Sequence, residues 1–143
     1  MPAPGDELLN PHTGQTIRFV AIDPDLLVME SSYRAGGAPA PPHFHPAQDE
    51  HFEVLSGAVS ATVDGETRTL EEGDTLDVPA GTVHDFGGDP ERDATVRWEV
   101  RPALKTAEFF EMTFGLASGE VELPEGGAEE LLGRYAGEFR LAS

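Results

Sequence analysis

The chain has 143 residues, 38% apolar and 25% charged, enough for one folded domain with a core and too apolar for a disordered chain. It has no cysteine, so disulfides, thiolate metal sites and cysteine nucleophiles are excluded, and any metal must be held by nitrogen and oxygen donors. Nine basic residues against 27 acidic ones leave a net charge of −18, which repels phosphate backbones and anionic lipid and so argues against nucleic-acid or membrane partners.

The first residues, MPAPGDELLNP, carry neither a basic start nor an apolar run, so a cytoplasmic location is expected. No stretch reaches the ~20 apolar residues of a membrane helix. Alternating segments then follow in order: Thr16–Val20, Leu26–Tyr33, His51–Leu55, Ala58–Val63, Thr67–Leu70, Thr75–Val78, Val83–Phe86 and Thr95–Val100. Short alternating runs with turn residues between them predict an all-β barrel or sandwich. Asp64-Gly65 predicts a tight hairpin, because both central positions tolerate positive φ. Ser56-Gly57, Glu72-Gly73, Gly36-Gly37 and Gly87-Gly88 read as further turns. After Pro102 the period changes. Leu104–Leu116 places apolar residues at helical spacing and is expected to pack on the outside of the barrel, with a lid over its mouth as the alternative. Glu120–Gly127 reads as a loop and Ala128–Tyr135 as a second short helix. The whole is one domain: an N-terminal arm over residues 1–29, a barrel over 30–101 and a helical segment over 102–143.

Two segments carry the chemistry. The first runs from Gly37 through His43, His45 and Glu50 to Gly57, and the second from Gly73 through Pro79 and Gly81 to His84. Residues two apart on a strand share a face, so His43 and His45 project together. On the next run, Glu50, Phe52 and Val54 form one face, and His51, Glu53 and Leu55 the other. Phe52 and Val54 belong inside and Glu53 does not, which puts Glu50 in the interior and leaves Asp49 and His51 outside. Leu76 and Val78 face inward on the second segment, and after the turn His84 and Phe86 point back inside. Three imidazoles and one carboxylate, with open positions for water or substrate, suit a divalent Fe, Mn, Ni, Co, Cu or Zn ion. A carboxylate inside a barrel also demands a cation.

The two segments fit G-x5-H-x-H-x4-E-x6-G and G-x5-P-x-G-x2-H without a gap, and over residues 30 to 101 the chain resembles the cupin superfamily, of the small quercetin-dioxygenase-like metal type. The resemblance implies a double-stranded β-helix (jelly-roll) barrel with one or two short C-terminal α-helices, and a metal on His43, His45, Glu50 and His84. One departure stands out: the second motif usually continues to an Asn where this chain has Gly88, which touches packing rather than metal binding. The functions implied are a metal-dependent dioxygenase, a Zn-type isomerase or cyclase, or a non-catalytic ligand-binding or sensor barrel. A homodimer and a small-molecule substrate are expected with them, and Glu50 is the candidate general base. Phe19, Tyr33, Phe52, Phe86 and Trp98 are candidates to line an apolar pocket, Trp98 reading first as core. His12 and His51 read as surface residues. Arg34 also reads as a surface residue, with an anion contact at the barrel mouth as the lesser alternative.

Overall fold

Alternating burial along the strands builds two facing sheets. A computed structural model of the chain describes residues 2–37 and 41–142; Ala38, Pro39 and Ala40 of the first motif, and Met1 and Ser143 of the two flanking segments, lie outside the described residues. The elements in order are β1 (Glu7–Leu9), β2 (Thr16–Ile22), β3 (Leu27–Tyr33), β4 (His43–Phe44), β5 (Asp49–Val63), β6 (Glu66–Glu71), β7 (Thr75–Val78), β8 (His84–Gly88), β9 (Ala94–Arg101), α1 (Thr106–Ser118), α2 (Gly127–Arg134) and β10 (Arg140–Leu141). All strand pairs are antiparallel. One sheet reads β1-β2-β3-β9-β5-β7 and the other β6-β5-β8-β4-β10. This is the double-stranded β-helix expected from the sequence.

Strand β5 belongs to both sheets, and this corrects the sequence reading. Ser56-Gly57 is not a turn between two strands. It is a bulge inside one 15-residue strand, with the register to β9 shifting between Val54 and Ser56. Residues before it pair with β7 and β9, and residues after it pair with β6 and β8. Gly57 makes the bend possible. Its φ of 74° lies in the left-handed region, and a Cβ there would run into the carbonyl of Asp93. Gly87-Gly88 is likewise not a turn. Both residues continue β8 opposite Ser60 and Val59. A side chain at Gly88 would collide with the carbonyl oxygen of Arg34, so the glycine at the usual Asn position admits the end of β3 to close backbone contact. Asp64-Gly65 does form the expected hairpin, with φ of 50° and 83°.

The inner faces follow the predicted parity. Glu50, Phe52 and Val54 are buried while His51, Glu53 and Leu55 are not, and Leu76 and Val78 are buried between exposed Thr75 and Asp77. Ile17, Phe19, Leu27, Met29, Val96 and Val100 complete the core of the first sheet, and Val59, Ala61, Leu70 and Phe86 that of the second. Helix α1 ends on Gly119 in the left-handed conformation. Its start is tied to the barrel by Gln48, whose buried amide nitrogen reaches the carbonyls of Pro102 (2.8 Å) and Ala103 (2.9 Å) and the hydroxyl of Thr106 (2.8 Å).

Candidate metal centre

The short strand β4 pairs with β8 so that His43 lies opposite His84. His45 stands two residues beyond His43, and Glu50 opens the buried face of β5. The ring nitrogens of His43, His45 and His84 come within 4.8 Å of one another, and all three side chains are buried. Oε1 of Glu50 lies 2.9 Å from Nε2 of His45 and 2.8 Å from Nε2 of His84. Three of the four residues singled out from the sequence are therefore clustered, and the fourth, Glu50, lies against two of them.

Backbone carbonyls set the direction of each ring. Nδ1 of His43 donates to the carbonyl of Pro41 (2.7 Å), Nδ1 of His84 to that of Thr82 (2.9 Å), and Nδ1 of His45 to that of Glu138 (2.7 Å). A proton fixed on Nδ1 leaves Nε2 as a lone pair turned inward. Burial pushes His43 down to about 4, so it stays neutral at neutral pH. Burial also opposes ionisation of Glu50, but its contacts with His45 and His84 outweigh that and hold the carboxyl at about 2. His45 is pushed down by burial and drawn up more strongly by Glu50, so its net shift is upward.

These groups fit a metal ion. Nε2 of His45 and Oε1 of Glu50 are buried without a hydrogen-bond partner, although they lie 2.9 Å apart. Their closeness is not aligned for a hydrogen bond, and with the ring proton on Nδ1 both atoms are acceptors. Two buried acceptors at that separation need a positive charge between them, supplied by a metal ion or by a second proton on His45, whose shift is upward. Adjacent ligands on an ion with bonds of about 2.1 Å sit roughly 3 Å apart, which is the spacing found here. The far oxygen of Glu50, Oε2, accepts a 2.7 Å hydrogen bond from the indole nitrogen of Trp98.

The cluster opens into a cavity of about 340 Å³. Of the residues expected to line it, Tyr33, Phe52, Phe86 and Trp98 do so. Phe19 does not: it is fully buried on β2, which β3 separates from the Trp98 strand. Trp98 is both core and wall, stacked on Phe52 at 5.4 Å. Helix α1 is not simply outer packing, because Phe109, Phe110, Thr113 and Phe114 line the cavity and place it on the lid side of the two expectations. Asp49 stays outside and accepts from the amide of Ala80, and His51 pairs with Asp77 on the outer face. His12 is exposed. Arg34 is exposed and lies across Gly14, beside a second, shallower hollow that shares Tyr33 with the first.

Sequence reasoning missed the C-terminal contribution. Strand β10 pairs with β4, the amide of Ala142 donates to the carbonyl of Pro42, and Phe139 stacks on the His43 ring at 4.7 Å. The only local signal is a pair of apolar residues, Phe139 and Leu141, alternating after the last helix.

Comparison with known proteins agrees with this architecture. A family profile described as "Cupin domain" matches residues 29–98, the span that holds both motifs. Residues 29–98 form a cupin domain. Among solved structures, this cupin is similar to KdgF from Halomonas sp., with 28% identity and a TM-score of 0.63 over 70% of this chain and 91% of that one. It also resembles the DMSP lyase DddQ from Ruegeria pomeroyi, with 25% identity and a TM-score of 0.51 over 58% of this chain and 41% of that one. A curated relative, "Probable oxidoreductase patJ" of Penicillium expansum, is 48% identical over 48 residues, 32% of this chain. That match spans 14% of the relative's length.

Proposed function

We propose that this cupin is a mononuclear metalloenzyme of oxidoreductase type, a dioxygenase acting on a small organic molecule in the aromatic cavity. The observation that carries the reading is the pair of orphaned acceptors, His45 Nε2 and Glu50 Oε1, at the centre of three buried imidazoles. His43, His45, His84 and Glu50 are the ligands of the proposal. A divalent ion held by them supplies Lewis acidity and, with a redox metal, electron transfer. The protein's part is then to orient and to exclude water. The carbonyls of Pro41, Thr82 and Glu138 hold the rings, the indole of Trp98 holds Glu50, and the phenyl groups of α1 and Phe139 close the cavity. Glu50 serves first as a charge-balancing ligand. A carboxyl at about 2 is a weak base, so service as the general base requires it to swing free of the imidazoles. The oxidoreductase named among the relatives supports the redox reading.

A redox-silent reading is favoured by one observation, that a structural neighbour is named a lyase. A Zn-type isomerase or cyclase belongs to the same alternative. Metal analysis with oxygen uptake decides between them. A redox metal bound in stoichiometric amount, with oxygen consumed alongside a phenolic substrate, is expected. A redox metal bound with no oxygen uptake across a broad panel sinks the dioxygenase reading. His84→Ala is expected to strip most of the metal, and unchanged metal content would refute the ligand set. The proposal includes a homodimer, which sedimentation checks.

A further inference from the structure

The lining of the cavity has an unusual charge inventory. Among the described residues that form it there is no lysine or arginine, and its one carboxylate, Glu50, faces His45 and His84 and accepts from Trp98. The polar groups away from the imidazoles are neutral: Asn10, Thr13 and Gln15 from the β1–β2 connection, and Thr113 from α1. The walls are flat and aromatic. Phe52 stacks on Phe86 at 4.5 Å with 16° between the planes, and on Trp98 at 5.4 Å with 25°. Phe110 of α1 closes against Trp98 at 5.1 Å.

Each feature selects against an ionised ligand. A carboxylate entering this space loses its hydration and finds no cationic side chain in the walls, so in the absence of a bound ion its charge has no partner. It must also approach a protein of net charge −18. An ammonium ion is drawn by that field, yet inside it finds the one carboxylate already facing two imidazoles and the Trp98 indole. A flat neutral molecule loses nothing of this kind and gains stacking on both walls. Size narrows the class further. A cavity of about 150 Å³ holds one benzene, so one of about 340 Å³ admits one or two rings.

We infer that the walls of the cavity favour an uncharged, flat molecule of one or two rings bearing a hydroxyl or carbonyl oxygen over its carboxylate counterpart. The inference rests on the proposed reading of the cavity as the substrate site. It does not depend on the metal being redox-active. The test is calorimetric titration of the full chain in its metal-free form with naphthol, naphthoate and naphthylmethylammonium. Naphthol is expected to bind at least about tenfold more tightly than either ion. Naphthoate binding as tightly as naphthol overturns the inference. So does naphthylmethylammonium ahead of naphthol, or no binding of any probe. If the protein takes up no metal but still prefers naphthol, the metal reading falls and this inference stands. Thr113→Arg, which sets a guanidinium in the wall, is expected to raise naphthoate affinity to that of naphthol or beyond. Asn10→Lys makes the same test from the opposite element should the first variant not fold. An unchanged preference in a folded variant of either kind contradicts the inference.

Discussion

Glu50 is a carboxylate with one oxygen hydrogen-bonded and the other without a partner. One faces two imidazoles and the other accepts the indole N–H of Trp98 at 2.7 Å. Hydrogen bonds to a charged acceptor contribute about 1.5–3 kcal/mol, and groups that orient metal ligands typically affect metal affinity 10- to 100-fold. Trp98→Phe keeps the ring stacked on Phe52 and removes only that donor. It is expected to weaken metal binding by about tenfold or more in chelator competition, with a smaller loss of thermal stability. Unchanged affinity would mean that Glu50 is held by the fold alone. The site residues were legible at this scale because their signal is local. His43 and His45 are two apart, and Glu50 shares its face with Phe52 and Val54. Trp98 alternates with Val96 and Val100 and reads as core by the same rule. Its hydrogen bond to Glu50 was not legible, because the two are 48 residues apart and meet only through the pairing of β5 with β9.

Two elements decide whether those residues meet. The bulge in β5 turns one strand from the first sheet into the second, and Gly57 is the residue that permits it. Gly57→Ala meets both positive φ and the Asp93 carbonyl, so it is expected to cost more than the ~1–3 kcal/mol typical of a strained backbone position. Gly65 also has positive φ, at 83°, but nothing lies within 4 Å of the missing Cβ. Gly65→Ala is therefore expected to cost only about 1 kcal/mol. Thermal melts of the two variants check the ordering, and equal losses would show that the bulge contact is not tight. The second element is the strap of residues 138–142. It supplies the carbonyl that orients His45 and the ring that covers His43. Phe139→Ala is expected to loosen the strap, opening the cavity and weakening metal binding several-fold while the melting temperature changes little. A melting loss without an affinity change would make Phe139 a packing residue only. Neither element could be read beforehand. Ser-Gly is as good a turn as a bulge, and the strap acts across a separation of 93 residues.

At the scale of the whole molecule, both tyrosines are tied into the fold. Tyr33 is buried beside the cavity and its phenol is pushed well above the ordinary value by burial. Tyr135 donates to Glu108 at 2.9 Å, joining α2 to α1, and burial with that carboxylate raises its phenol to about 12. A phenol whose folded value lies above 10 holds its proton in the native state where the unfolded chain has lost it. Its contribution to stability is complete below pH 10 and is lost as the pH climbs from 10 to about 12. Ultraviolet titration of the folded protein is expected to show no phenolate near pH 10, and both tyrosines should ionise at higher pH together with loss of structure. A phenolate signal at the ordinary value would place one ring in solvent.

The sequence by itself determined which residues face inward, that they alternate in strands and then change to helices, and which three histidines lie close enough to hold an ion. Those properties come from the two-residue pleat of a strand and the turn preferences of Gly, Asp and Pro, which act over a few residues. The tertiary structure alone decided that β5 crosses between sheets, that α1 walls the cavity, and that Glu138 and Phe139 complete the His45 and His43 environments. Those contacts join segments far apart in the chain. They form only where closure of the two sheets brings the segments together, and no local pattern records that closure.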